Sequence, residues 1–215
     1  MSGDWGTEFN PLVVHLSIPE LEKIDMDYLA TLDVEVELRD GDTVGDDEYF
    51  RAKMHMREYI QALKDGSKLY LKYEDHDTFK QHIRTSVGEK VLTHLGEALR
   101  NSVLREQGYY KPEYDLIEYT DFNWLIWVGG TNTTTSMHYD DDTFNFLWVM
   151  QGRKRVVMIP NDERTADQYE CKIAVDNGDH SCWTGVDILK EELPPHAVEI
   201  EVGPGEGILI PYLCW

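Results

Sequence analysis

Asn145-Phe146-Leu147-Trp148-Val149-Met150-Gln151-Gly152-Arg153-Lys154-Arg155-Val156-Val157-Met158-Ile159 reads as two β-strands joined at a tight turn. Both arms are apolar, aromatic or β-branched, and Gln151-Gly152 predicts a hairpin between them. The first arm alternates a smaller face with a bulky one, as the wall of a β-barrel does. In a strand, successive side chains point to opposite faces. Lys154 therefore shares a face with Val156 and Met158, while Arg153 and Arg155 take the other. An ammonium on the apolar side needs an anion to offset its desolvation, or it snorkels to water from the strand end. The residues alone leave both open.

Outward from this stretch the texture stays β-like. Asn123 to Val128, Ser136 to Tyr139, Val198 to Val202 and Ile208 to Leu213 are short aromatic and β-branched runs separated by Gly, Asn, Asp and Pro. That pattern predicts an antiparallel sandwich or barrel over residues 119–215. Residues 161–196 form a long polar excursion without clear periodicity, which reads as a functional insert. Upstream, residues 1–118 form a helical and mixed part of the same single domain, 1–215. The first 45 residues read as strand, short helix, strand. Asp46 to Ala62 predicts a helix closed by Asp65-Gly66, Lys68 to Tyr73 a strand, and Ser86 to Glu106 a second helix. The expected fold class is mainly β with N-terminal helices (α+β).

The 215 residues suffice for one well-buried domain. Acidic residues number 41 against 20 basic ones, a formal net charge of -21. A field of that sign repels phosphate backbones, which argues against nucleic acid and favours solubility or a basic partner. No apolar run approaches the roughly 20 residues of a membrane helix, and MSGDWGTEFN lacks a signal-peptide pattern. Cys171, Cys182 and Cys214 make an odd count without CxxC spacing, so the expected compartment is reducing and intracellular, cytoplasmic or nuclear.

The chemistry gathers at Ser136-Met137-His138-Tyr139-Asp140. Strand geometry projects His138 and Asp140 from one face, with Met137 and Tyr139 on the other. An imidazole and a carboxylate so placed can grip two adjacent positions of an octahedral metal, and a distant His would complete a facial triad. An HxD is also what a solvent-facing strand end looks like, so the context decides. His180, in a surface-turn sequence, and His196, after Pro194-Pro195, are weak candidates for the third ligand. Asp140-Asp141-Asp142 lacks the alternating ligands and the Gly of a calcium loop. Cys214 reads as a packing residue.

These pieces together resemble the JmjC, or cupin-8, family of Fe(II)- and 2-oxoglutarate-dependent oxygenases, and within it the asparaginyl hydroxylases. The matching residues are Thr135, His138, Tyr139 and Asp140, then Asn145 and Phe146, then Gly152, Lys154 and Arg155. Gly203-Pro204-Gly205 followed by Leu209, Ile210, Pro211 and Trp215 completes the pattern. Leu69-Tyr70-Leu71 and Ser86-Val87-Gly88 extend the likeness upstream, so that it covers roughly residues 46–215. One extra residue lies between Asp140 and Asn145.

The resemblance implies a double-stranded β-helix (jelly-roll) core. It implies Fe(II) held by His138 and Asp140, and 2-oxoglutarate whose distal carboxylate pairs with Lys154, with Thr135 and Tyr70 hydrogen-bonding the same end. Asn145 would stand near the carboxylate beside the keto group. The family's distal His would follow immediately after Trp215, and the apolar run 208–215 stops without cap or polar tail, so the expectation is a C-terminally truncated domain. The implied activity is hydroxylation of a side chain in a protein or peptide, a basic one if the acidic surface selects it. Two alternatives stand beside it. One is a non-catalytic cupin-type binding module lacking a complete triad. The other is a cupin isomerase, which would have no need of Lys154, Thr135 and Tyr70 as a carboxylate-binding set.

Overall fold

The computed structural model describes residues 12–15, 22–40, 52–72, 126–135, 137–140, 144–160, 172–176, 179–183, 193, 197–211 and 214. They fall into two compact units interleaved along the chain. One comprises Ile18–Asp40 and Phe50–Thr131; the other comprises Met1–Ser17, Gly41–Tyr49 and Asn132–Trp215.

Among the described residues of the unit 18–40 and 50–131, four antiparallel strands carry two short helices. The strands are β2 (Glu35–Asp40), β3 (Ala52–His55), β4 (Leu69–Lys72) and β5 (Trp127–Gly129), in the order β3-β2-β4-β5. Helix α1 (Met26–Ala30) starts at Asp25, whose side chain accepts the Tyr28 N–H at 2.8 Å. Helix α2 (Met56–Lys64) buries Met56, Tyr59 and Ile60, an i, i+3, i+4 stripe. It ends where Gly66 N–H bonds to Leu63 O and Ser67 N–H to Ala62 O, a Schellman closure at the predicted Asp65-Gly66. The predicted helix from Asp46 is corrected: residues 52–55 are strand β3, and the helix begins at Met56. Met54 and Met56 fit either period, and β2 offers an edge that pairs Val36 with Met54 and Leu38 with Ala52. Tertiary pairing outweighs local propensity there. The second predicted helix, Ser86 to Glu106, lies outside the described residues. Among the described residues the chain is mainly β, with these two short helices.

Tyr59 is the keystone of this unit. Its ring is fully buried, and its hydroxyl donates to Val128 O at 2.5 Å, accepts the Leu71 N–H at 3.2 Å and lies 3.3 Å from Leu69 O. The hydroxyl thus works as part of the β4–β5 ladder. Burial pushes its ionisation well above the ordinary tyrosine range.

Among its described residues, the other unit is built from sheets. β1 (Leu12–His15), β7 (Phe144–Trp148) and β12 (Glu206–Pro211) form one sheet, with β12 in the centre. β8 (Lys154–Met158) pairs with β11 (Val198–Val202). β6 (His138–Asp140) pairs with β10 (Asp179–Trp183), which pairs with β9 (Lys172–Asp176). Val149, Met158, Val202, Ile208 and Cys214 are buried together, with Leu147, Val156, Ile200 and Ile210 packed around them. The inner faces of β7–β12 and β8–β11 therefore share one core. Cys214 is a packing residue, as read from sequence; its thiol donates to Ile159 O at 3.5 Å, and burial pushes its pKa up to about 12.

One expectation is corrected in this unit. Gln151-Gly152 is not a hairpin between paired strands: β7 pairs with β12 and β8 with β11, so the turn carries the chain from one sheet to the other. A short Gly turn with positive φ (78° at Gly152) serves either connection, so the sequence does not distinguish them. The polar excursion 161–196 contains β9 and β10.

Removing the Tyr59 hydroxyl leaves buried ladder groups without their partner, which costs about 1–3 kcal/mol. Tyr59→Phe is therefore expected to lower the urea unfolding midpoint clearly while keeping the slope. A midpoint within error of the parent would show that the hydroxyl is dispensable.

Candidate metal centre

The backbone of β6 sets the central pair. His138 and Asp140 occupy register positions two apart, opposite Trp183 and Ser181 of β10, and Tyr139 lies between them opposite Cys182. Met137 and Tyr139 pack with Val157 and Ala197 around fully buried Ile159. That apolar contact holds one side of the strand, and alternation sends His138, which is partly buried, to the other. The described segment 131–135 leads into β6 through Asn132, whose φ of 64° is left-handed, and carries Thr135 partly buried three residues before His138.

Lys154 and Asn145 stand on the walls of one interior. Lys154 is in phase with Val156 and Met158 on β8 and faces Val202, which is fully buried. Asn145 is in phase with Leu147 and Val149 on β7 and faces Ile210. Those apolar neighbours all belong to the shared core, so an amide and an ammonium stand at interior positions of otherwise apolar strand faces. Burial pushes the Lys154 ammonium below its usual pKa. On the outer face of the same ribbon, Arg155 makes a bidentate pair with Glu199 at 2.7 and 2.8 Å, and Arg153 pairs with Glu201. The Arg155–Glu199 contact holds the carboxyl below, and the guanidinium above, their ordinary ranges. The sorting of Arg153, Lys154 and Arg155 between faces is as the sequence predicts.

Tyr70 lies on β4 in the other compact unit, partly buried, with Trp127 of β5 as its ring neighbour. Among the described residues no three His, Cys, Asp or Glu side chains gather as a metal cluster. His180 sits on β10 in phase with Tyr139 rather than with His138, because Ser181 faces Asp140 and Trp183 faces His138. This register gives no support to His180 as a third ligand. His196 lies outside the described residues. Sequence reading missed the strand that flanks β6, although Asn177-Gly178 between Ile173-Ala174-Val175 and Asp179 is a strong hairpin signal.

The donor chemistry fits the group that the motif suggests. A His and an Asp two apart on one strand supply nitrogen and oxygen donors suited to divalent iron. A desolvated lysine at an interior position suits a carboxylate, the partner that best offsets its burial.

The family profile described as a cupin-like domain matches residues 17–215, and the chain belongs to that family. The family includes Fe(II)- and 2-oxoglutarate-dependent oxygenases. Over 113 residues, 52% of its length, the chain is also 32% identical to an arginine–tRNA ligase of Pseudoalteromonas translucida (strain TAC 125). It spans only 18% of that protein, so the ligase activity is not carried across.

Because the folded-state pKa of Lys154 is depressed, the unfolded chain holds its proton to higher pH than the folded one. Stability therefore rises as pH climbs from the folded value toward the usual lysine value. In ligand-free protein, the urea midpoint of the parent relative to Lys154→Met should increase as pH rises toward the usual lysine value. A flat or falling difference would show that Lys154 carries no desolvation penalty.

Proposed function

We propose that this chain is the core of an Fe(II)- and 2-oxoglutarate-dependent oxygenase that hydroxylates a side chain of a protein or peptide. The observation that carries the reading is Lys154, an ammonium at an interior position of β8 facing Val202, in the chain that also bears His138 and Asp140 on β6. A carboxylate ligand at that position offsets the desolvation of the ammonium.

In this reading His138 and Asp140 hold the metal. Lys154 neutralises the distal carboxylate of 2-oxoglutarate, and the apolar residues beside it, Val156 and Val202, exclude water and strengthen that pairing. Thr135 donates a hydrogen bond to the same carboxylate, and Asn145 orients the end bearing the keto group. The bound metal and co-substrate supply the oxidising power: 2-oxoglutarate and O2 become succinate and CO2 as one oxygen atom enters a substrate C–H bond. The protein contributes positioning and dryness. The pairing of β7 with β12 around β8 with β11 supports a double-stranded β-helix plan for the core. The net charge of -21 favours a basic peptide as the substrate.

Calorimetry with Mn(II) in place of iron tests the assignment. Lys154→Ala is expected to weaken 2-oxoglutarate by roughly 30- to 150-fold, the loss of a charged hydrogen bond of about 2–3 kcal/mol, and to leave Mn(II) affinity within about twofold. His138→Ala should abolish Mn(II) binding. Equal weakening of metal and co-substrate by Lys154→Ala would remove that residue from the co-substrate site. No Mn(II) binding by the parent would favour a non-catalytic cupin module.

A further inference from the structure

Gly203-Pro204-Gly205-Glu206 has the residues of a type II turn, Pro in second place and Gly in third. Gly205 takes the positive φ of that turn, 79°, and the Glu206 N–H donates to Gly203 O at 3.0 Å. The N–H of the first turn residue lies outside that hydrogen bond. Gly203 is buried, so its donor needs a partner. The Glu206 side chain folds back over the turn and supplies one, Oε2 accepting the Gly203 N–H at 2.8 Å. Its other oxygen, Oε1, lies 3.6 Å from His15 Nδ1. One carboxylate thus joins the end of β1 to the point where β11 stops.

The residue before that point is Val202, fully buried and directly across the ribbon from Lys154. On this face of the ribbon the described neighbours of Lys154 are Val156 and Val202, and neither ionises. Arg153, Arg155, Glu199 and Glu201 pair on the other face. Loosening the chain at Gly203 would draw Val202 away from the lysine and admit water to it.

We propose that Glu206 is a positioning residue for Lys154: by holding the Gly203 N–H, its carboxylate keeps Val202 beside the lysine and water away from the ammonium. The consequence for a ligand rests on the functional reading above, in which Lys154 receives a carboxylate of 2-oxoglutarate. Glu206 acts there through Val202 and Lys154. Its contribution to co-substrate affinity therefore exists only while Lys154 is present, and metal affinity does not depend on it.

Two measurements test this. The first needs no ligand: the Lys154 ammonium is titrated by NMR in lysine-labelled protein, its signal assigned by its loss in Lys154→Met. In the parent it should titrate below the exposed lysines, and Glu206→Ala should move it toward them. Glu206→Gln, whose amide oxygen can still accept the Gly203 N–H, should leave it near the parent value. The second is the Kd of 2-oxoglutarate on Mn(II)-loaded protein. Glu206→Ala should raise it roughly three- to tenfold, the span of one hydrogen bond's net worth. Glu206→Gln should stay within about twofold, with Mn(II) affinity unchanged in both. In a Lys154→Ala background, Glu206→Ala should add nothing. Glu206→Thr, which suits a strand position, is measured alongside and stands in if the alanine variant does not fold. A Lys154 titration unmoved by Glu206→Ala would overturn the inference, as would an equal rise in Kd with and without Lys154. If Lys154→Ala leaves the Kd unchanged, or the parent binds no Mn(II), the functional reading has failed. The NMR titration then decides by itself whether Glu206 positions Lys154.

Discussion

The β unit depends on two places where the chain leaves one sheet for another, and these two places are bonded to each other. At one, β7 gives way to β8 through Val149 to Gly152; at the other, β11 gives way to β12 through Gly203 to Glu206. Val149 N–H donates to Glu206 O and Gly205 N–H donates to Val149 O, both at 2.9 Å, so a single residue of the first crossing grips the second from both sides. The second is a tight turn, with Glu206 N–H bonded to Gly203 O at 3.0 Å and Gly205 at φ 79°. The Glu206 carboxylate accepts the Gly203 N–H at 2.8 Å and closes it further. With both crossings fixed, β7 must lie beside β12 and β8 beside β11. The apolar faces of the two pairs must then meet over Val149, Met158, Val202 and Ile208.

Lys154 follows from that arrangement. It is the first residue of β8, just past one crossing, and Val202, its partner across the ribbon, is the last residue of β11, just before the other. Its phase is set by the strand, and its depth by the bonded crossings. The ammonium is therefore held where desolvation works against its charge, and a ligand carboxylate would find a partner already stripped of much of its water.

Much of this was legible in the residues. Val198 to Val202 and the strand after Gly205 fall where alternation and turn chemistry put them, and the opposite facing of Lys154 and Arg155 follows from period 2 alone. Strand β6 with its His138 and Asp140 was legible too. What was not legible is which strand pairs with which. The turn at Gly152 looks the same whether it folds a hairpin or changes sheets. Met54 and Met56 satisfy a helix or a strand until β2 claims the first of them. The hairpin of β9 and β10 announced itself through Asn177-Gly178, but its polar flanks hid the alternation of Ile173 and Val175. The neighbour of Tyr70 could not be read at all, because Trp127 is remote in the chain and meets it only through the β4–β5 register.

The outer ladder of the β8–β11 ribbon has a consequence for folding fidelity. Arg153, Arg155, Glu199 and Glu201 are exposed, and pairs of this kind add little stability. Their value lies in the mispaired ribbon. A slip of β8 by one residue against β11 would turn its arginines toward the apolar interior and its valine and methionine outward. Unpaired guanidinium groups would then face Val202 and Ile208, at a cost far above anything the correct pairs contribute. The charges act as a proofreading device, rejecting the wrong alignment before the core closes.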